Sequence, residues 1–119
     1  MTPKALIPIF YAADVEAAER YYIERLQFTR AFRYGTYLGL RMGSCELHIT
    51  DPSDARQVPG TGAAYLICDE VDDYFEWIKK LDARLKNAPE DRQYGMRDFA
   101  VFDLDGNQLT FGCDNDQGE

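Results

Sequence analysis

The same order of elements is written twice in this chain, with the helix starts Asp14-Val15 and Glu70-Val71 lying 56 residues apart. The first copy opens with an apolar strand over 5–11. Asp14 then caps a helix over about 15–25, with Glu16 and Glu19 placed where the helix dipole favours anions. Val15, Ala18, Tyr22 and Leu26 recur at helical spacing and predict its buried stripe. Three strands follow at about 27–34, 36–42 and 44–50, with Tyr34-Gly35 and Gly43-Ser44 marking the turns. After a loop rich in turn formers, the second copy begins with a strand over 63–68. Asp69 is expected to cap its helix, with Asp72 in the capping-box position. Val71, Tyr74, Phe75, Ile78 and Leu81 form the apolar stripe, while Lys79, Lys80, Arg84 and Lys86 gather toward the far end and complement the dipole. A short strand near 83–87 and a loop around Pro89 lead to a closing hairpin.

That hairpin, within 93–112, is the sharpest local signal. An apolar strand, Phe99 to Phe102, enters an Asp105-Gly106 turn that supplies the positive-φ positions tight turns need. Beyond it Leu109 and Phe111 share one face, and Gln108, Thr110 and Gly112 share the other. Glu46-Leu47-His48-Ile49-Thr50 alternates in the same phase as Gln108-Leu109-Thr110-Phe111-Gly112. A tandem βαβββ repeat of this kind predicts an α+β fold, in which two modules of curved sheet surround a groove. Module one is expected over about 4–51, a linker over 52–61 and module two over about 62–114, together one domain.

Bulk properties narrow the function. A net charge of −8 with 45% hydrophobic residues describes a folded acidic protein, and nucleic acid phosphates would be repelled by it. The apolar stretch 5–13 is short, is broken by Pro8 and lacks a cleavage pattern, and no run approaches the length of a membrane span. A cytoplasmic location and no membrane partner are therefore expected. Cys45, Cys68 and Cys113 are odd in number and sit in strand-like apolar patterns, so buried reduced thiols are expected.

Over nearly its whole length the chain resembles the vicinal oxygen chelate (glyoxalase/bleomycin-resistance/dioxygenase) superfamily. The similarity rests on three segments in order: 12–28 with its Asp cap and aromatic pair, Asp69-Glu70-Val71-Asp72-Asp73, and Asp103-Leu104-Asp105-Gly106-Asn107. Gln27 stands where the family usually has glycine, and Leu104 where proline is commoner. The resemblance implies that enzymes of the superfamily would take metal ligands from positions equivalent to Ile7, Glu46, Ala63 and Thr110. Isoleucine and alanine have no donor atom and threonine is a poor one, so neither a metal nor any other cofactor is expected. In size and closing hairpin the chain is most similar to the bleomycin-resistance branch. That likeness implies a strand-exchanged homodimer whose grooves sequester a cationic antibiotic of the bleomycin type without altering it.

The groove-facing residues expected from strand alternation and the resemblance are Phe32, Tyr37, Glu46, His48, Tyr65, Tyr94, Met96 and Thr110. Aromatic rings suit flat parts of a ligand, and the carboxylate suits a positive charge. No catalytic residue is assigned. Three alternatives stay open: a metal-dependent enzyme, proton transfer by His48 with Glu46, and a binder of another aromatic metabolite. Arg97 is expected to pair with Asp98, Glu90 or Asp91 and order its loop, and Trp77 to pack at a surface.

Overall fold

Strand alternation builds two mixed sheets, each with one buried and one open face. The structure, a computed structural model, describes residues 1–115. β1 (Ile9–Tyr11), α1 (Val15–Glu24), β2 (Thr29–Tyr34), β3 (Tyr37–Met42) and β4 (Cys45–Thr50) come first. β5 (Ala63–Ile67), α2 (Val71–Lys80), β6 (Arg84–Leu85), β7 (Glu90–Asp91), β8 (Met96–Phe102) and β9 (Gln108–Asp114) follow. The first sheet has the order β1-β4-β3-β2, the second β5-β9-β8-β6 with β7 also on β8. In both, the opening strand runs parallel to the last, Ile9 opposite His48 and Tyr65 opposite Thr110. The α+β reading agrees with this arrangement.

Register decides what is buried. Phe10, Leu38 and Ile49 are in one row, as are Phe99 and Phe111, and all point to the helices. α1 packs on β2, β3 and β4, and α2 on β8 and β9. The stripe Val15, Ala18, Tyr22, Leu26 is buried as expected, and side chains of both sheets merge into one core. Helix phenols tie the halves together: Tyr74 Oη donates to the Leu26 carbonyl at 2.7 Å, and Tyr22 Oη to Asp103 Oδ2 at 2.8 Å. Asp103 also builds the closing turn, since its Oδ1 accepts from the backbone N–H groups of Asp105, Gly106 and Asn107. The acid that starts the hairpin signature therefore folds the turn and anchors it to α1.

Several expectations need correction. β1 begins at Ile9 rather than at residue 5, because Pro8 has no N–H to continue the ladder, and Leu6 is fully exposed. Glu70, not Asp69, is the N-cap of α2; its backbone is left-handed (φ 50°) and its side chain makes no capping bond. The segment around Pro89, read as loop, contains β7, paired through Glu90 with Asp98. Cys45 is exposed at the start of β4, and Cys68 and Cys113 are only half-buried. Gln27 occupies a left-handed position (φ 67°), which explains why glycine suits it, and its Nε2 donates to the Ile23 and Glu24 carbonyls.

Candidate functional site

The faces turned away from the helices carry the polar side chains, and on each sheet these gather into one hydrogen-bonded group. On the first sheet His48 is central. Its Nε2 lies 2.7 Å from Glu46 Oε2 and its Nδ1 2.9 Å from Tyr37 Oη. A carboxylate can only accept, so Nε2 carries its proton toward Glu46, and the Nδ1 of a neutral ring accepts from Tyr37. Arg41 Nη2 donates to the other oxygen of Glu46 at 3.3 Å. Phe32 stacks on Tyr37 with centroids 6.2 Å apart and meets His48 edge-on at 5.2 Å. Burial pushes the Tyr37 phenol above its ordinary value, so it remains protonated at neutral pH.

Asp98 is the hub on the second sheet. Tyr65 Oη and Tyr94 Oη donate to its Oδ2 at 2.8 and 2.6 Å, and Arg92 Nε donates to Oδ1 at 2.7 Å. Burial works against the Asp98 carboxylate, but the bonds from Tyr94, Arg92 and Tyr65 and the Arg92 charge outweigh it, holding its pKa below the usual range. Thr110 lies beside this group, accepting a 3.4 Å bond from Gln108 Nε2. Neither Asp98 nor Arg92 was singled out as a site residue from the sequence.

A glycine underlies each group. A Cβ on Gly39 would overlap the ring of Phe32, and a Cβ on Gly112 would overlap the phenol of Tyr65. Both aromatic rings lie across the sheet only because the strand beneath them has no side chain there. Glycine inside a strand is the sequence signal for such a close approach, and it could have pointed to both rings.

A cavity of about 430 Å³ joins the two halves, with Glu46 and Tyr65 both in its wall alongside Ile7, Phe28 and Leu66. A second, of about 400 Å³, lies on the second sheet and is lined by Tyr65, Tyr94, Asp98 and Thr110 among others. Phe32, Tyr37 and His48 adjoin Glu46 on the first sheet's open face. Met96, paired with Asp114 at the end of β8, lines neither of these cavities. Arg97 pairs with Asp91 at 3.1 Å, as one expectation had it, but its main partner is Asp72 of α2 at 2.9 Å. Asp98 is engaged by Arg92 instead. Trp77 is half-exposed on α2, edge-on to Tyr74.

The residues present do not suit a metal centre of the superfamily's kind. Ile7 and Ala63 offer no donor and Thr110 is neutral, which leaves Glu46 as the one charged donor of the four positions. Among the described residues no three His, Cys, Asp or Glu side chains come together in a metal-holding group. No helix among them is long and apolar enough to cross a membrane.

Comparison with known proteins agrees with this architecture. A bleomycin resistance protein of Geobacillus stearothermophilus is 24% identical over 122 aligned positions, covering 88% of this chain and 92% of the relative. Among solved structures, the bleomycin-binding protein from bleomycin-producing Streptomyces verticillus, complexed with copper(II)-bleomycin, superposes with a TM-score of 0.79 at 22% identity. The alignment covers 93% of this chain and 96% of that one. The lactoylglutathione lyase of Agrobacterium tumefaciens superposes with a TM-score of 0.74 at 23% identity over 94% and 95% of the two chains, so the same fold also serves an enzyme. Residues 7–111 match the sequence model of the Glyoxalase/Bleomycin resistance protein/Dioxygenase superfamily, and the chain belongs to that superfamily.

Proposed function

We propose that this protein binds and sequesters a small, cationic, aromatic-containing antibiotic of the bleomycin type, without chemical change to it. The observation that carries the reading is the group Phe32, Tyr37, Glu46 and His48: stacked aromatic rings beside a carboxylate, on an open sheet face continuous with the wall of a 430 Å³ cavity. That volume lies within the range of small-molecule sites. Rings take the flat parts of the ligand, and Glu46 takes its positive charge by charge-assisted hydrogen bonds. The relatives named for bleomycin resistance support the choice of antibiotic. Tyr65, Tyr94 and Thr110 extend the surface on the second sheet, with Met96 on the same face of β8 as Asp98 but outside both cavities.

The working form in this reading is a cytoplasmic homodimer that exchanges its N-terminal segment. Support comes from the uncovered edge strand β5 with exposed Tyr65 and Ile67, and from exposed Leu6 ahead of β1. Unpaired strand edges and bare apolar side chains are what a second copy would cover. Modules of about 4–51 and 62–114 would then contribute one face each to a groove.

A second reading has one specific observation in its favour, the continuous chain Tyr37–His48–Glu46, which could pass a proton between a ligand and the carboxylate. Bacteria expressing the protein distinguish the two. Sequestration predicts survival on bleomycin and recovery of the drug at unchanged mass from the purified complex. Drug converted to a product of different mass, with conversion lost in His48→Ala, would replace sequestration by catalysis.

A further inference from the structure

The 400 Å³ pocket on the second sheet is chemically unlike the rest of this acidic chain. Two cations, Lys86 and Arg92, and one carboxylate, Asp98, line it. The carboxylate is engaged on both oxygens, accepting from Tyr65 and Tyr94 on Oδ2 and from Arg92 on Oδ1. Those bonds also use the protons of both phenols. Lys86 Nζ gives one N–H to Gln108 Oε1 at 3.1 Å and keeps two.

Asn87 is the most telling member. The backbone N–H of Ala100 donates to its side chain at 2.8 Å, so the accepting atom is Oδ1. Nδ2 is thereby turned the other way and has no partner among the described residues. The hydroxyl proton of Thr110 is likewise uncommitted, because Oγ1 serves as acceptor for Gln108. Arg92 has only the exposed Glu90, 3.6 Å from Nη1, as a side-chain partner beyond its bond to Asp98. The pocket therefore holds unspent donors from Lys86, Asn87, Arg92 and Thr110, while its side-chain acceptors other than the phenol oxygens each already take at least one hydrogen bond.

We infer that this pocket is a carboxylate subsite, taking the anionic end of a ligand whose aromatic or cationic part lies toward Tyr65 and Glu46. Tyr65 lines both this pocket and the larger cavity, which gives the two ends a shared wall. The two sheets thus offer opposite polarity: Glu46 attracts donors, and Lys86 with Asn87 attracts acceptors. A zwitterionic or amino-acid-like ligand satisfies both. The inference rests on the reading of these open faces as a ligand groove, and it is independent of bleomycin being the ligand.

Benzoate and benzamidine are matched aromatic probes of opposite charge, and ¹H–¹⁵N NMR reads the Asn87 side-chain amide directly. Benzoate should shift that signal saturably, and benzamidine should not. Asn87→Asp keeps the acceptor for Ala100 N–H but turns the pocket-facing donor into an acceptor and adds a negative charge, so it should weaken benzoate at least about tenfold with the fold intact. Lys86→Met, which keeps most of the stem, should weaken it comparably. An equal shift of the Asn87 amide by both probes, a non-saturating response of that signal to benzoate, or benzoate affinity unchanged in both variants would overturn the subsite. Bleomycin titrated in parallel separates the two claims: its failure while benzoate binds removes the antibiotic only, and the converse removes the subsite only.

Discussion

Replacing Gly112 with alanine tests how the second sheet's polar group is built. The added Cβ would overlap the phenol of Tyr65, with ring carbon Cζ only 2.6 Å away, so the half-exposed Tyr65 must swing off the sheet. It then gives up its 2.8 Å bond to Asp98, while Tyr94 and Arg92 keep theirs. A hydrogen bond to a charged acceptor contributes about 1.5–3 kcal/mol, reduced here to about 1–2 because the phenol is partly in water. Alanine in place of strand glycine returns about 0.5–1 kcal/mol of unfolded-state entropy, and Gly112 has no positive φ to oppose it. Gly112→Ala should therefore destabilise by at most about 1.5 kcal/mol, and by about 0.75 at the middle of both ranges, in the wild-type background. In a Tyr65→Ala background it should stabilise by about 0.5–1 kcal/mol. Urea denaturation of the four proteins, followed by circular dichroism, gives the coupling energy as the difference. The same effect of Gly112→Ala in both backgrounds would refute the steric role assigned to this glycine.

Two further predictions concern stability. At the left-handed Gln27 position, Gln27→Gly should be more stable than Gln27→Ala by about 1 kcal/mol in urea denaturation, since both lose the bonds to Ile23 and Glu24 and only alanine retains the strain. Equal stability of the pair would contradict the left-handed geometry. Asp98, held below its ordinary pKa, contributes stability that is complete above the unfolded-state value of about 4 and is lost as pH falls through the lower folded-state value. The stability gap between wild type and Asp98→Asn should accordingly narrow below about pH 4; a gap that stays constant or widens would mean the carboxylate is not preferentially charged in the folded state.

Much of the fold was legible because its signals are local. The alternation in 46–50 and 108–112 follows from a side-chain period of two, and the turn residues Gly35, Gly43 and Gly106 all adopt positive φ. Glu46 and His48 could be placed on one face by the same parity, and the structure brings Tyr37 and Phe32 of the neighbouring strands to them. Asp98 was not legible as a hub. It stands beside Phe99, Ala100 and Val101, and its burial depends on Tyr65, which is 33 residues away in sequence. Lys86 was read as complementing the helix dipole, yet α2 ends at Lys80 and Lys86 turns to the second sheet's pocket. The left-handed entry at Glu70 escaped the capping pattern because Asp69 offers the better capping side chain, and side-chain preference alone does not reveal where the backbone turns.

Capture of a bleomycin-type ligand by aromatic rings and a carboxylate can be read from calorimetric titration of the protein with metal-free bleomycin at two salt concentrations. Saturable binding is expected with a Kd below about 10 µM, or roughly 7 kcal/mol, weakening as salt rises and weakened about tenfold or more by Glu46→Gln. No heat of binding at about 100 µM ligand, or binding that Glu46→Gln leaves unchanged, would contradict it.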